Sequence, residues 1–152
     1  MMKANNSSNS NSKKNTYISA LTLLGLSLCG GIAHGHTLNL VVDNIPKHTG
    51  QLMIQIFDSK EKYDSGRGAF ISALTPVTQT RHEIVFSQLP TADYAVRIVH
   101  DENGNGSLDV NFLGVPLEGY GFSNDAGSLG PASFEDAKVG IDSDIELIIH
   151  IR

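Results

Sequence analysis

Cysteine is all but missing from this chain: Cys29 is the one cysteine in 152 residues. A single thiol excludes an internal disulfide and a thiolate cage for zinc. Tryptophan is absent and aromatics make up 7% of the chain, so a core has to be assembled from aliphatic side chains. Positive charge is scarce as well, with eleven Lys and Arg against sixteen Asp and Glu. Three of the eleven, Lys3, Lys13 and Lys14, fall in the first 35 residues, where no acidic residue occurs. The other 117 residues therefore carry eight basic and sixteen acidic side chains, a formal net charge of −8 with histidine neutral. Such a surface repels nucleic acid and anionic lipid and suits cations.

Long apolar runs are also lacking, apart from YISALTLLGLSLCGGIA at residues 17–33. Preceded by lysines and followed by the small residues Ala33 and Gly35, it reads as a secretory signal cleaved after Gly35. An uncleaved anchor would need about 20 apolar residues. A lipoprotein signal ending at Cys29 is opposed by Leu28, where a small residue is wanted. The expected organisation is a cleaved signal over residues 1–35 and one domain over 36–152, periplasmic or secreted, with no membrane insertion after cleavage. Cys29 leaves with the signal, so the mature domain relies on packing and on any metal it binds.

What is present is alternation. TLNLVVD (37–43), QLMIQIFD (51–58), HEIVFSQL (82–89), DYAVRIVH (93–100) and IELIIHIR (145–152) each repeat apolar residues with a period of two. Gly, Pro, Asp and Ser separate them. Weaker runs near 74–78 and 137–139 bring the count to about seven. This predicts an all-β fold, an antiparallel Greek-key sandwich of immunoglobulin-like type with a long irregular loop after the fourth strong strand. Helix is limited to single turns, one before Gly66 and Gly68, one capped by Ser133 with Asp136 three residues on. Tyr94, just after Pro90 and at the start of a strand, is expected to bond back to the corner backbone rather than to bind substrate.

The loop HDENGNGSLDVNFLG, residues 100–114, concentrates the polar chemistry. A twelve-residue calcium loop takes oxygen ligands at positions 1, 3, 5, 7, 9 and 12, with glycine at 6. Counting from Asp101 gives Asn103, Asn105, Gly106, the Ser107 carbonyl and Asp109 in the required places, with apolar Leu108 at position 8. Position 12 is Phe112 instead of glutamate, and no helices flank the loop, so it is not an EF-hand. A missing ligand has to come from Glu118, Asp125, Glu135, Asp136 or water, and Glu118 is the first choice. With two formal charges the site is a weak, structural calcium site of the extracellular class. Without metal, the same residues make an Asx- and Gly-rich turn.

Beyond the loop, NFLGVPLEGYGFSNDAGSLGP is too apolar for disorder. Phe112, Leu113, Val115, Tyr120 and Phe122 are expected to cap one end of the sandwich. The alternative is a ligand-binding lip of Tyr120 and Phe122 for a protein or glycan partner.

The block from Leu89 to Val139 resembles a bacterial exported family known as domain of unknown function 2141. The shared pattern HDxNxNGxLDxNFxGxPxEGYGFSN is met by His100, Asp101, Asn103, Asn105, Gly106, Leu108, Asp109, Asn111, Phe112, Gly114, Pro116, Glu118, Gly119, Tyr120, Gly121, Phe122, Ser123 and Asn124. The resemblance extends over about 38–151. It implies a small immunoglobulin-like or prealbumin-like β-sandwich behind a signal peptide, and it implies no activity.

Two further functions compete. A mature N-terminus at His36 joins an α-amine to an imidazole, and with His100 or His150 nearby that set suits Cu(II). Cleavage after Ala33 exposes His34-Gly35-His36, a square-planar copper or nickel motif. Catalysis has less support: Ser65 lacks a nucleophile-elbow context, Glu135 and Asp136 are adjacent, and His100 and Asp101 point to opposite faces of a strand. The favoured reading is a non-enzymatic binding or accessory module with a calcium-type loop.

Overall fold

Alternation becomes two packed sheets in the computed structural model, which describes residues 35–128 and 130–152. The expected signal segment, with Cys29 and His34, lies outside the described residues but for Gly35. The strands are β1 (His36–Asp43), β2 (Gln51–Phe57), β3 (Ile71–Pro76), β4 (His82–Leu89), β5 (Ala92–Asp101), β6 (Gly119–Phe122), β7 (Lys138–Ile141) and β8 (Ile145–His150). Two short helices, α1 (Lys60–Ser65) and α2 (Phe134–Ala137), and a 3₁₀ turn at Ser123–Asp125 complete the elements. One sheet runs β4-β1-β8 and the other β3-β2-β5-β6, with β7 pairing the start of β5. Among the described residues no helix is long and apolar enough to cross a membrane.

The inward phase of each strong strand forms the core: Leu38, Leu40 and Val42 of β1, Leu52, Ile54 and Ile56 of β2, Val96 and Ile98 of β5, and Ile149 of β8. Each such side chain contributes roughly 1.5–3 kcal/mol by leaving water. Tyr94 closes the corner, its hydroxyl donating to the Pro90 carbonyl at 2.9 Å. The weaker runs do become strands, β3 and β7.

Two expectations are corrected. The sandwich is not wholly antiparallel: β8 runs parallel to β1, with Leu38 beside Ile145 and Asp43 beside His150. A period of two aims side chains but carries no strand direction, and the crossing from β7 in one sheet to β8 in the other sets it. The strand count is eight, because GYGF, expected to be irregular, forms β6. Its glycines face inward, where β8 and the residues after it pass close by. A Cβ on Gly119 would lie 2.5 Å from Ile151 Cγ2, and one on Gly121 2.7 Å from Ile149 Cγ2.

A second apolar cluster sits on the outer face of the larger sheet. Phe57, Ala95 and Phe122 from that face pack with Tyr63 of α1 and with Ala132, Phe134 and Ala137 around α2. Both helices are single turns held by local chemistry. Gly66, at φ 65°, ends α1, and the Ser133 hydroxyl accepts from the Asp136 N–H at 3.2 Å to start α2. They cover one end of the face and leave the other open.

Candidate functional site: a loop-walled cleft

Asp101 ends β5 on the outer face of the larger sheet, beside Gln51. Its carboxylate organises the loop that follows. Oδ1 accepts from the N–H groups of Gly104 (2.8 Å) and Asn105 (3.1 Å). Oδ2 accepts from the Gly106 N–H (2.9 Å) and from Gln51 Nε2 (3.0 Å). The Gln51 bond, reinforced by those backbone N–H groups, holds the Asp101 carboxyl below its ordinary value of 3.8 despite burial, which acts in the opposite direction.

Asn103, Asn105 and Asp109 converge just beyond. Asn103 Nδ2 and Asn105 Nδ2 donate to the two Asp109 oxygens at 2.7 and 2.9 Å. The Asn105 side-chain oxygen accepts from the N–H and the hydroxyl of Ser107, at 2.8 and 2.9 Å. Of the four downstream acids, Glu118 alone reaches this loop. Its two oxygens accept from the N–H groups of Glu102 (2.9 Å) and Asp109 (3.0 Å), strapping the loop's ends together. Asp125 pairs with His150, Glu135 with Lys138 and Asp136 with Ser133. Among the described residues no three His, Cys, Asp or Glu side chains gather as a metal cage. A cation here would therefore be held largely by amide and carbonyl oxygens, which are hard donors of the calcium type.

The second part of the loop is a small hairpin. Val110 bridges Pro116, Asn111 N–H donates to the Val115 carbonyl at 2.9 Å, and Asn111 Oδ1 accepts from the N–H groups of Leu113 and Val115. Its apolar residues do not cap the sandwich as expected. Phe112 is 94% exposed and Leu113 71%, and Val115 and Leu117 are exposed too. The end they were to cover is already closed by bonds between Tyr120 and Arg152 and between Ile151 and Asp43.

Between this loop and the sheet lies a cleft of about 1030 Å³. The registers set Leu74, Met53, Val99 and Tyr120 in one row across four strands, and Ser72, Gln55, Arg97 and Phe122 in the next. Leu108, Val110, Val115 and Pro116 wall one side; Ser128, Gly130 and Pro131 lie along another. Arg97 is held by stacking on Tyr63 (4.6 Å) and Phe57 (5.4 Å) and by donating to the Tyr63 carbonyl at 3.0 Å.

Tyr120 and Phe122 both reach this region, but from β6 and not from a loop. Phe122 is buried in the second cluster, and Tyr120 forms part of the floor with Arg152 stacked 5.4 Å above its ring. The sequence reading missed Met53, Leu74, Arg97 and Val99. The signal of Met53, Leu74 and Val99 was legible as apolar residues in the solvent phase of strands that otherwise alternate cleanly, whereas Arg97 is an ordinary residue for that phase.

The remaining candidates lie elsewhere. His100 faces inward, opposite to Asp101, and its Nε2 pairs with the Thr49 carbonyl at 2.8 Å while its buried Nδ1 has no partner among the described residues. His36 bonds to Thr91, seven residues along β1 from the register partner of His150, a separation of roughly 23 Å. The Ser65 hydroxyl donates to the Lys62 carbonyl.

Over residues 40–148 the chain matches the model of the family DUF2141, described as an uncharacterized protein conserved in bacteria. No curated protein and no solved structure matches it. The chain belongs to the DUF2141 family.

Proposed function

Starting from that membership, we propose that the domain is an exported, non-enzymatic binding module whose ligand surface is the loop-walled cleft. One observation carries the reading: four apolar or aromatic side chains, Leu74 exposed and Met53, Val99 and Tyr120 half-buried, form a continuous row on a sheet face that the rest of the fold covers only in part. An outward-facing row of this kind costs solubility unless something binds it, and the volume is that of a small-molecule site, typically about 300–1,000 Å³. Phe122, buried under α2, is not free to stack on a sugar ring, so an apolar ligand fits better than a glycan. The test is binding of the apolar dye N-phenyl-1-naphthylamine to the purified protein. Val99→Asp, in the middle of the floor, should abolish it while the melting curve stays cooperative; unchanged dye binding in that variant rules the cleft out.

The wall is the calcium-type loop, and its ligands in this proposal are Asp101, which has to exchange backbone N–H partners for the cation, Asn103, Asn105, the Ser107 carbonyl and Asp109, with Glu118 bracing the base. Support comes from the convergence of the side chains at positions 3, 5 and 9. Calcium at millimolar concentration should raise the melting temperature by a few degrees, and Asp101→Ala with Asp109→Ala should remove the rise. A wild-type melting temperature indifferent to calcium leaves the loop as a metal-free turn. Export is tested by fractionating cells, and protein confined to the cytoplasm contradicts it; mass spectrometry of the N-terminus tests cleavage, which an intact Met1 contradicts.

A further inference from the structure

The charges around the cleft narrow what it takes, on the premise that the cleft is the binding surface. The described residues carry sixteen carboxylates, yet none lines it, and Arg97 is its one charged side chain. Lys47, Lys60, Lys62, Arg81 and Lys138 are all in ion pairs with carboxylates. Arg97 instead rests on two rings and one carbonyl, contacts that hold it in place without neutralising it. Of its five N–H donors, the one to the Tyr63 carbonyl is engaged. Arg152, stacked on Tyr120 and Phe122 and donating to the Asp125 and Ala126 carbonyls, adds positive potential on the same side.

One row further along β5 the floor turns apolar, about 7 Å from Arg97. The cleft is thus polarised, with a fixed guanidinium at one side and the row Leu74–Met53–Val99–Tyr120 beneath Leu108 and Val115 at the other. We infer that its ligand is a single-chain anionic amphiphile, with a carboxylate or phosphate head on Arg97 and a hydrocarbon tail along the apolar row. The domain's net negative charge does not forbid this, because charges beyond about 8 Å are largely screened at physiological ionic strength. A head within reach of Arg97 gains a charge-assisted and geometrically matched partner.

The experiment displaces N-phenyl-1-naphthylamine from the purified protein with palmitate and with methyl palmitate, which share a tail and differ in charge. Palmitate should compete at about tenfold lower concentration, the worth of one charge-assisted hydrogen bond. Arg97→Gln should erase that gap, and Arg97→Lys should restore part of it. Lysophosphatidic acid in place of palmitate shows which head is preferred. Equal competition by acid and ester in the unaltered protein overturns the anionic head while the cleft stands, and it needs no variant to fold. Dye that fails to bind, or that ignores Val99→Asp, removes the cleft and this inference with it.

Discussion

Asp101 and Phe112 belong to the same loop and meet opposite fates: the first is wholly inaccessible to solvent, the second almost wholly exposed. The carboxylate at the root of the polar half is buried while Asn103 to Ser107 stay exposed, and the apolar half stands in water. Asp101 is inside because burial is tolerable once a carboxylate's acceptor positions are filled, and Gln51 and three backbone N–H groups fill them. Phe112 is outside because the hairpin bonds that shape residues 110–117 are satisfied without it. Hydrogen-bond demand, more than hydrophobicity, decides the shape of this segment.

The base of the loop is where the contrast breaks most severely. Gly50, at φ +69°, approaches so closely that a Cβ would lie 2.1 Å from the Asp101 carbonyl oxygen and 2.6 Å from Glu102 Cα. Gly50→Ala therefore has to displace the backbone that launches the loop and should cost more than about 3 kcal/mol in urea unfolding. A cost under about 1 kcal/mol would mean that the base is softer than its contacts imply.

Acid sharpens the comparison without a mutation. Because the folded Asp101 carboxyl titrates below its ordinary 3.8, its contribution is complete above that value and is lost as pH falls beneath it. The amide resonances of Gly104, Asn105 and Gly106, which donate to Asp101, should move together in that acid window. Those of Leu113 and Val115, bound to the uncharged side chain of Asn111, should stay put. Base and tip titrating as one would show that the two halves are not independent. The smallest effect belongs to the tip: Phe112→Ser should change stability by no more than about 0.5 kcal/mol, since it removes no buried contact. A larger loss would place the ring in a contact it does not make here.

Much of this was legible beforehand. The five strong strands, the Ser133 cap, the Tyr94 corner and the inward turn of His100 follow from interactions within a few residues. Glu118, expected as a calcium ligand, does reach the loop, and there it grips backbone N–H groups at both ends. GYGF was misread because two glycines in four residues look like a turn, when they mark where Ile149 and Ile151 press against the strand. The cleft was passed over because Met53 and Val99 look incidental until the register sets Leu74 and Tyr120 beside them.

The sequence by itself determined the phase of each strand, the places where the chain turns and the polar character of residues 101–109. These depend on alternation, on Asn, Asp, Gly and Pro, and on bonds from a side chain to nearby backbone. Tertiary structure alone decided that β8 lies parallel to β1, that Glu118 closes the loop, and that α1 and α2 cover just one end of the outer face. Each of these depends on which surfaces remain once the others have packed. That competition runs over the whole chain, and no local pattern records its outcome.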